Sequence, residues 1–147
     1  DQNKNLKVEL NEIGFSVNTS IHVFDYWNQL ITTHRGKTLK TGSIPAHGVA
    51  HFALRSKTSG ACYIGSNLHI CPSTEVTEWE ISSNKLRFII NLNRSSKGNV
   101  FLKLPYLPIS ATCDGKPVDI ISIGKNSIYE VKVEINKETE IQIYFDQ

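Results

Sequence analysis

Alternation of apolar and polar side chains is the feature of this sequence that most limits its fold. Within residues 85–93 every second residue is apolar: Leu86, Phe88, Ile90 and Leu92. The residues between them are charged or polar, with Ile89 the exception. Successive side chains of a β-strand point to opposite faces of a sheet, so the pattern predicts a strand with one buried and one solvated face. Because the pattern returns in residues 129–136 and 140–146, we expect a core built from half-buried strands.

The composition also favours strands over helices. The chain has 17 Ile and 9 Val residues against 5 Ala and no Met, and β-branched side chains suit a pleated sheet. Further strands are expected at residues 6–10, 20–27, 49–55, 61–70, 100–104, 109–113 and 118–123. Hairpin turns are expected at residues 95–98, where Gly98 would supply a positive φ, and at residues 136–139. The pattern predicts an all-β fold, an antiparallel two-sheet β-sandwich with Greek-key-type connections.

No sequence feature marks a boundary between domains. The 9 glycines are spread almost evenly, and there is no repeat, linker or low-complexity tract. A chain of 147 residues can bury one core, so a single domain over residues 1–147 is expected. Because the chain opens at Asp1 without an initiator methionine or a leader pattern, we expect it to be excised from a larger protein.

The distribution of charge argues against a nucleic-acid partner, and the distribution of apolar residues argues against a membrane span. The 16 basic and 14 acidic residues leave a formal net charge of +2, and the basic residues are scattered among acidic ones. A nucleic-acid partner is therefore not expected, since such proteins gather Lys and Arg in a patch or stripe. No run of about 18 apolar residues occurs, so no membrane-spanning segment is expected.

Metal and cofactor sites are not expected either. His47 and His51 lie in a segment predicted to be a strand entered from a proline turn, where four residues span about 13 Å, too far for one ion. The 3 cysteines lack the spacing of a metal or redox site, and their odd number leaves at least one free thiol. All three are expected to be buried, and a bridge between Cys62 and Cys71 is the alternative.

Acidic residues crowd around Trp79 without predicting a catalytic pair. Glu75, Glu78 and Glu80 share one short stretch. Glycosidases hold two carboxyl groups about 5–10 Å apart across a cleft, whereas these belong to one strand with an exposed face, so solvated charges are expected. There is also no nucleophile elbow and no phosphate-binding glycine loop. No catalytic residue is assigned, and the chain by itself is not expected to be an enzyme.

Aromatic side chains are the candidates for carbohydrate binding. Trp79 has charged neighbours and is expected to be the better exposed of the two tryptophans, and Tyr63 is the tyrosine that would share a sugar site with it. Large aromatic side chains also fill sandwich cores. Packing in the core or against another domain is therefore the alternative for Trp79 and for Trp27.

An ordered set of motifs provides a family resemblance. The motifs are Val-Phe-Asp-Tyr-Trp at 23–27, Thr-Gly-Ser-Ile-Pro-Ala-His-Gly-Val at 41–49, Phe-Ala-Leu-Arg at 52–55 and Tyr-Ile-Gly-Ser-Asn-Leu-His at 63–69. In this order they resemble the C-terminal β-sandwich of α-galactosidases (melibiases) of glycoside hydrolase families 27 and 36. That domain carries an Asp-Leu-Trp motif, then a Pro-x-His-Gly turn and an apolar strand. Here Tyr26 replaces the leucine, and a polar loop is expected at residues 28–40.

The resemblance implies a non-catalytic accessory domain of a secreted or periplasmic glycoside hydrolase. In that family the nucleophile and the acid are aspartates on an N-terminal (β/α)8 barrel, which needs about 250 residues. That barrel is the implied partner, and a carbohydrate is a further candidate. The motif residues would be structural, with Asp25 a turn acceptor, Trp27 a packing anchor, and Pro45, His47 and Gly48 a turn before the next strand.

Two alternative functions remain open at this point. One is a carbohydrate-binding module with its own sugar site on Trp79 and Tyr63. The other is an immunoglobulin-like adhesion or structural module that binds a protein and no sugar.

Overall fold

A computed structural model describes residues 2–124 and 127–146 of the chain. Contacts within the chain divide it between Lys57 and Thr58 into two units, here called the N-terminal unit and the C-terminal unit. Among the described residues, no helix is long and apolar enough to cross a membrane. The expectation that residues 1–147 form a single domain stays a prediction.

The N-terminal unit is made of short antiparallel strands. Its elements are β1 (Lys4–Glu9), a 3-10 turn (Leu10–Ile13), β2 (Ser20–Asp25), β3 (Leu30–Arg35), β4 (Thr38–Ile44) and β5 (Phe52–Ser56). β1 pairs with β4, and β2 lies between β3 and β5 in a second sheet. Side chains from both sheets meet in a small core in which Leu10, Ile21, Val23 and Leu39 are buried.

The polar segment at residues 28–40 is not a loop. It contains all of β3 and the start of β4. Among the described strands, β3 pairs only with β2 and β4 only with β1. Most side chains of both strands are exposed or half-buried. A strand at the edge of a small sheet has little apolar surface to bury, so it lacks the alternation by which half-buried strands are recognised. The prediction of a loop here is wrong for that reason.

In the C-terminal unit the described strands form one antiparallel sheet. They are β6 (Cys62–Ser66), β7 (Val76–Ile81), β8 (Lys85–Lys103), β9 (Pro108–Cys113), β10 (Lys116–Val118), β11 (Ile120–Ser122) and β12 (Ile128–Phe145). The long strands β8 and β12 are neighbours along almost their whole length. β6 and β11 flank one half of this pair, and β7 and β9 flank the other, with β10 beyond β9. Neighbours among β6, β8, β12 and β9 are not consecutive in the chain, so the sheet contains crossover connections.

Each central strand continues through a segment predicted to be a hairpin turn. Residues 95–98 lie within β8 and pair with residues 133–136 of β12, with Ser96 opposite Ile135. Residues 136–139 lie within β12 and pair with residues 90–95 of β8. Beside this point the register shifts, and Asn93 and Lys137 adopt positive φ. A bulge of this kind bends a strand without ending it. Both hairpin predictions are wrong. The alternation of apolar and polar residues breaks at these positions because each strand bends there, and the chain does not turn back.

Both halves of the bent sheet supply one apolar core. Its fully buried members include Leu86, Phe88, Ile90, Val100, Leu102, Val131, Ile135, Ile141 and Ile143. Burying a large aliphatic or aromatic side chain contributes about 1.5–3 kcal/mol, so this cluster is the main source of stability in the unit. The alternating residues of the sequence therefore do form the core. The expected all-β, antiparallel, sandwich-like fold is confirmed.

Gly98 is required by a close contact and does not have the positive φ expected of it. A Cβ at this position would lie 2.2 Å from Oδ1 of Asn67. The same oxygen accepts a hydrogen bond from the backbone N–H of Asn99 over 2.7 Å, so it cannot move without losing that bond. The contact fastens the loop after β6 to the centre of the sheet.

Candidate functional site

The aromatic pair expected to bind sugar belongs to the core of the C-terminal unit. Trp79 on β7 is half-buried, with its ring centroid 5.3 Å from that of Phe88 and 6.5 Å from that of Tyr63. Tyr63 on β6 is only 7% exposed and meets Phe88 edge to face at 6.2 Å. A sugar needs an open aromatic face, and Tyr63 has none to offer. Its expected role in sugar binding does not fit this placement, and core packing accounts for both rings.

Glu75 differs from the two glutamates that follow it. Expected to be solvated, it is only 2% exposed, because it precedes β7 and does not lie on that strand's outer face. Its Oε1 accepts hydrogen bonds from the hydroxyls of Tyr63 at 2.7 Å and Ser66 at 2.6 Å. Its Oε2 has no hydrogen-bond partner among the described residues. The expectation of a solvated charge is therefore wrong for Glu75.

Glu78 and Glu80 are exposed, as expected, and share one arginine. Nη1 of Arg87 on β8 lies 2.6 Å from Glu78 and 3.5 Å from Glu80, and its Nε donates a hydrogen bond to Glu140 on β12. The hydrogen bond from Arg87 holds the pKa of Glu140 below its usual range. These carboxylates surround a cation on the outside of three paired strands and do not face each other across a cleft, so they do not form a glycosidase pair.

The turn between β2 and β3 is closed by Asp25. Its Oδ1 accepts the backbone N–H of Asn28 at 3.1 Å, and its Oδ2 accepts the side-chain amide of the same residue at 2.8 Å. The bond from the backbone N–H closes the turn, and the bond from the side-chain amide fixes the orientation of that amide. Asp25 is thus a turn acceptor within its own unit.

Trp27 lies at the tip of this turn and is 52% exposed. The ring of Tyr26 stands nearly perpendicular to it, with 5.1 Å between centroids and an interplanar angle of 84°. Tyr26 is held in turn by His51, whose carbonyl accepts its backbone N–H at 3.0 Å and whose ring lies 5.4 Å away. Trp27 is therefore positioned by its neighbours but not covered by them. The role of packing anchor stays a prediction that needs a partner surface.

Residues 45–48 form a tight turn after β4. The backbone N–H of Gly48 donates to the carbonyl of Pro45 over 2.9 Å, and a Cβ on Gly48 would lie 2.9 Å from the Pro45 ring. His47 adopts a φ of 59°. The expected strand starts later, at Phe52, so the 13 Å strand separation does not apply to His47 and His51. In the described part of the chain, no group of three or more His, Cys, Asp or Glu side chains is arranged to hold a metal ion.

Two surface grooves adjoin this turn and share part of their lining. The Trp27 groove, of about 320 Å³, is lined by residues that include Asp25, Trp27, Asn28, Thr41, Ser43 and Phe52. The Leu6 groove, of about 580 Å³, is lined by residues that include Leu6, Val8, Ile44, Ala46 and Val49. The first combines an aromatic ring with hydrogen-bonding groups, and the second is mainly apolar.

A third groove, of about 800 Å³, opens at the bend of the C-terminal unit. Its rim carries an ion pair between Lys97 and Glu134 at 3.0 Å and a hydrogen bond from Ser95 to Asn136 at 3.1 Å. No aromatic ring is among its lining residues. It therefore has polar groups for a ligand but no stacking platform.

The thiols differ in accessibility. All three cysteines are free, with Cys113 buried, Cys62 half-buried and Cys71 exposed. Burial raises the pKa of the Cys113 thiol. The expectation that all three are buried is wrong for Cys71, which lies in the loop between β6 and β7, and the alternative bridge between Cys62 and Cys71 is not formed.

Sequence reasoning missed both grooves of the N-terminal unit. Leu6 was expected in a strand, and its exposure follows from the two-stranded sheet of β1 and β4, which leaves one of its faces open. One sequence signal could have found the Leu6 groove. Val49 and Ala50 are apolar residues directly after a turn, before the strand begins, where polar residues are usual.

Comparison with known proteins adds no family assignment, since no family model matches the chain and no curated protein shows significant similarity to it.

Proposed function

We propose that this chain is a non-catalytic accessory β-sandwich of a secreted or periplasmic α-galactosidase-like glycoside hydrolase. In this proposal it packs against the catalytic (β/α)8 barrel of that enzyme and stabilises it. The order of the sequence motifs supports the family. The all-β architecture supports an accessory role, because a barrel enzyme holds its catalytic residues on loops at the ends of parallel strands.

The observation that supports the packing role is the open apolar surface of the Leu6 groove. Leu6 is 51% exposed and Val49 is 70% exposed, and both line it. Removing exposed apolar side chains from water is favourable, so covering them with the barrel would stabilise the pair. The Pro-Ala-His-Gly turn at residues 45–48, part of the family motif, lines the same groove.

A first test concerns catalysis by the isolated chain. Purified chain should not hydrolyse nitrophenyl α-galactoside above the buffer rate, because in this proposal the catalytic carboxylates lie on the barrel and Glu78 and Glu80 share an arginine on an exposed face. An intact α-galactosidase is the positive control. Turnover by the chain that persists through repeated purification would contradict the proposal.

A second test concerns the docking surface. We expect the chain to raise the thermal unfolding midpoint of the catalytic barrel of its parent enzyme when the two are purified together. Leu6→Glu should abolish this effect, since it places a charge in the Leu6 groove. Leu107→Glu is the matched control, because Leu107 is also exposed, at 64%, but belongs to the C-terminal unit. Equal stabilisation by both variants, or none by the wild type, would contradict the packing role.

The alternative functions receive less support. A carbohydrate-binding module built on Trp79 and Tyr63 has less support, because Tyr63 is buried and Trp79 is half-buried against the core. No described feature favours an immunoglobulin-like adhesion module over an accessory domain.

A further inference from the structure

The Trp27 groove has a feature that the Leu6 groove lacks, a fixed and open aromatic face. Trp27 is half exposed at the tip of its turn. Its perpendicular contact with Tyr26 limits rotation of the indole. An aromatic ring held in this way loses little conformational entropy when a flat ligand stacks on it.

Polar side chains that are close to Trp27 in the sequence line the same groove. Asp25 and Asn28 line the same groove, and their two mutual hydrogen bonds hold them in place. The Asn28 amide has two N–H donors and one carbonyl acceptor, and only one of the donors is used by Asp25. One donor and one acceptor remain on a fixed planar group. The Asp25 carboxylate, which accepts from both Asn28 groups, has further lone pairs.

The remaining walls supply hydroxyls and a partly apolar floor. Thr41 and Ser43 on β4 add hydroxyl groups, and Ile44 and Phe52 add apolar surface. The volume of about 320 Å³ lies at the lower end of the range for small-molecule sites. An aromatic platform beside paired donors and acceptors matches a pyranose ring, which has an apolar C–H face and hydroxyls around its edge.

From this arrangement we infer that the Trp27 groove binds one hexopyranose residue of a glycan. The apolar face of the sugar stacks on Trp27, and adjacent hydroxyls pair with Asn28 and Asp25. The inference goes beyond the proposed accessory role and does not depend on it, because it concerns another ligand and is carried by Trp27, Asp25 and Asn28, which do not line the Leu6 groove. It also differs from a sugar site at Trp79 and Tyr63, which lies in the C-terminal unit, where Tyr63 is buried and Trp79 is half-buried.

The test uses the whole chain labelled with nitrogen-15. Its 2 tryptophans give two indole N–H signals, which can be assigned by Trp79→Phe. Methyl α-galactopyranoside and methyl α-glucopyranoside are the probes, titrated separately. With at least one of them, the Trp27 signal should shift saturably while the Trp79 signal stays in place.

Variants then separate the groove from general effects. Trp27→Ala should weaken binding by about tenfold or more, and Asn28→Ala should also weaken it, both read from shifts of backbone amides around the groove. Trp27→Phe keeps a smaller aromatic face and should retain part of the affinity, which distinguishes loss of stacking from a disturbed turn. Leu6→Glu, outside the groove, should leave sugar binding unchanged.

Three outcomes would overturn the inference. They are no saturable shift with either glycoside, a shift centred on Trp79, or binding that survives Trp27→Ala. The barrel-stabilisation test depends on Leu6, which does not line the Trp27 groove, so a failure here leaves that result unaffected.

Discussion

Removing the hydroxyl of Tyr63 should destabilise the C-terminal unit by about 2 kcal/mol. Tyr63→Phe keeps the ring contacts with Trp79 and Phe88 and deletes one of the two donors to Oε1 of Glu75. A hydrogen bond to a charged acceptor contributes about 1.5–3 kcal/mol. Because Glu75 is 2% exposed, water cannot replace the missing donor without opening the core.

The assay is urea unfolding followed by fluorescence. The background variant Trp27→Phe leaves Trp79 as the sole tryptophan, and its ring lies 6.5 Å from that of Tyr63. The signal therefore reports on the C-terminal unit. With a urea slope of about 1–2 kcal/mol per molar, the expected loss lowers the midpoint by about 1–2 M.

A double-mutant cycle and a matched control sharpen the result. Ser66→Ala deletes the second donor, and the double variant should lose more than the sum of the singles by about 0.5–3 kcal/mol, since both donors serve one oxygen. Tyr129→Phe is the control, because Tyr129 is 8% exposed in the same core and no hydrogen bond of its hydroxyl occurs among the described residues. Equal effects of the two Tyr→Phe changes, or strictly additive losses, would refute the reasoning.

Three further predictions address other contacts. Gly98→Ala should lower the free energy of unfolding by about 1–3 kcal/mol in urea titrations, because its methyl group would meet a side-chain oxygen 2.2 Å away. Arg87→Met should lower the free energy of unfolding at neutral pH. The difference from wild type should disappear as the pH falls through the depressed pKa of Glu140, because protonation of Glu140 ends the wild-type ion pair; a difference that is constant with pH contradicts this assignment. With a thiol reagent under native conditions, Cys71 should react well before Cys113, whose burial raises its pKa; the reverse order would be inconsistent with the structure.

The core of the C-terminal unit could be predicted because its strands bury one face only. Leu86, Phe88 and Ile90 alternate in the sequence and are all fully buried. The bend could not be predicted the same way, since residues 95–98 carry polar side chains whether they turn back or continue in a bent strand. Only the partner settles the matter, and Ser96 pairs with Ile135, 39 residues later.

The burial of Glu75 could not be predicted from the sequence, for a related reason. Its hydrogen-bond donors, Tyr63 and Ser66, lie 12 and 9 residues earlier in the chain. Nothing in the neighbouring sequence distinguishes it from Glu78, which is exposed. The local sequence pattern indicates which face of a strand is buried. Whether an acidic residue just before a strand is buried depends instead on which hydrogen-bond donors the fold brings next to it.

The family-like motifs therefore divide into two physical classes. In residues 63–69, Tyr63 and Ser66 donate to one oxygen of a buried carboxyl group, and Asn67 accepts the N–H of Asn99. The carbonyl of Leu68 accepts a hydrogen bond from a β8 arginine at 2.7 Å. These residues face inward. Asp25 and Trp27 of the motif at 23–27, and Pro45 and Val49 of the motif at 41–49, instead line open grooves.

This division has a consequence for mutagenesis. Changes in the 63–69 segment act on buried hydrogen bonds, so they should move the unfolding midpoint of the C-terminal unit and affect binding only through folding. Exposed side chains such as Leu6, Trp27 and Val49 make few contacts to lose, and surface changes of this kind usually alter stability by about 0.5 kcal/mol or less. If the grooves are where partners bind, changes there should abolish association while leaving the unfolding midpoint nearly unchanged.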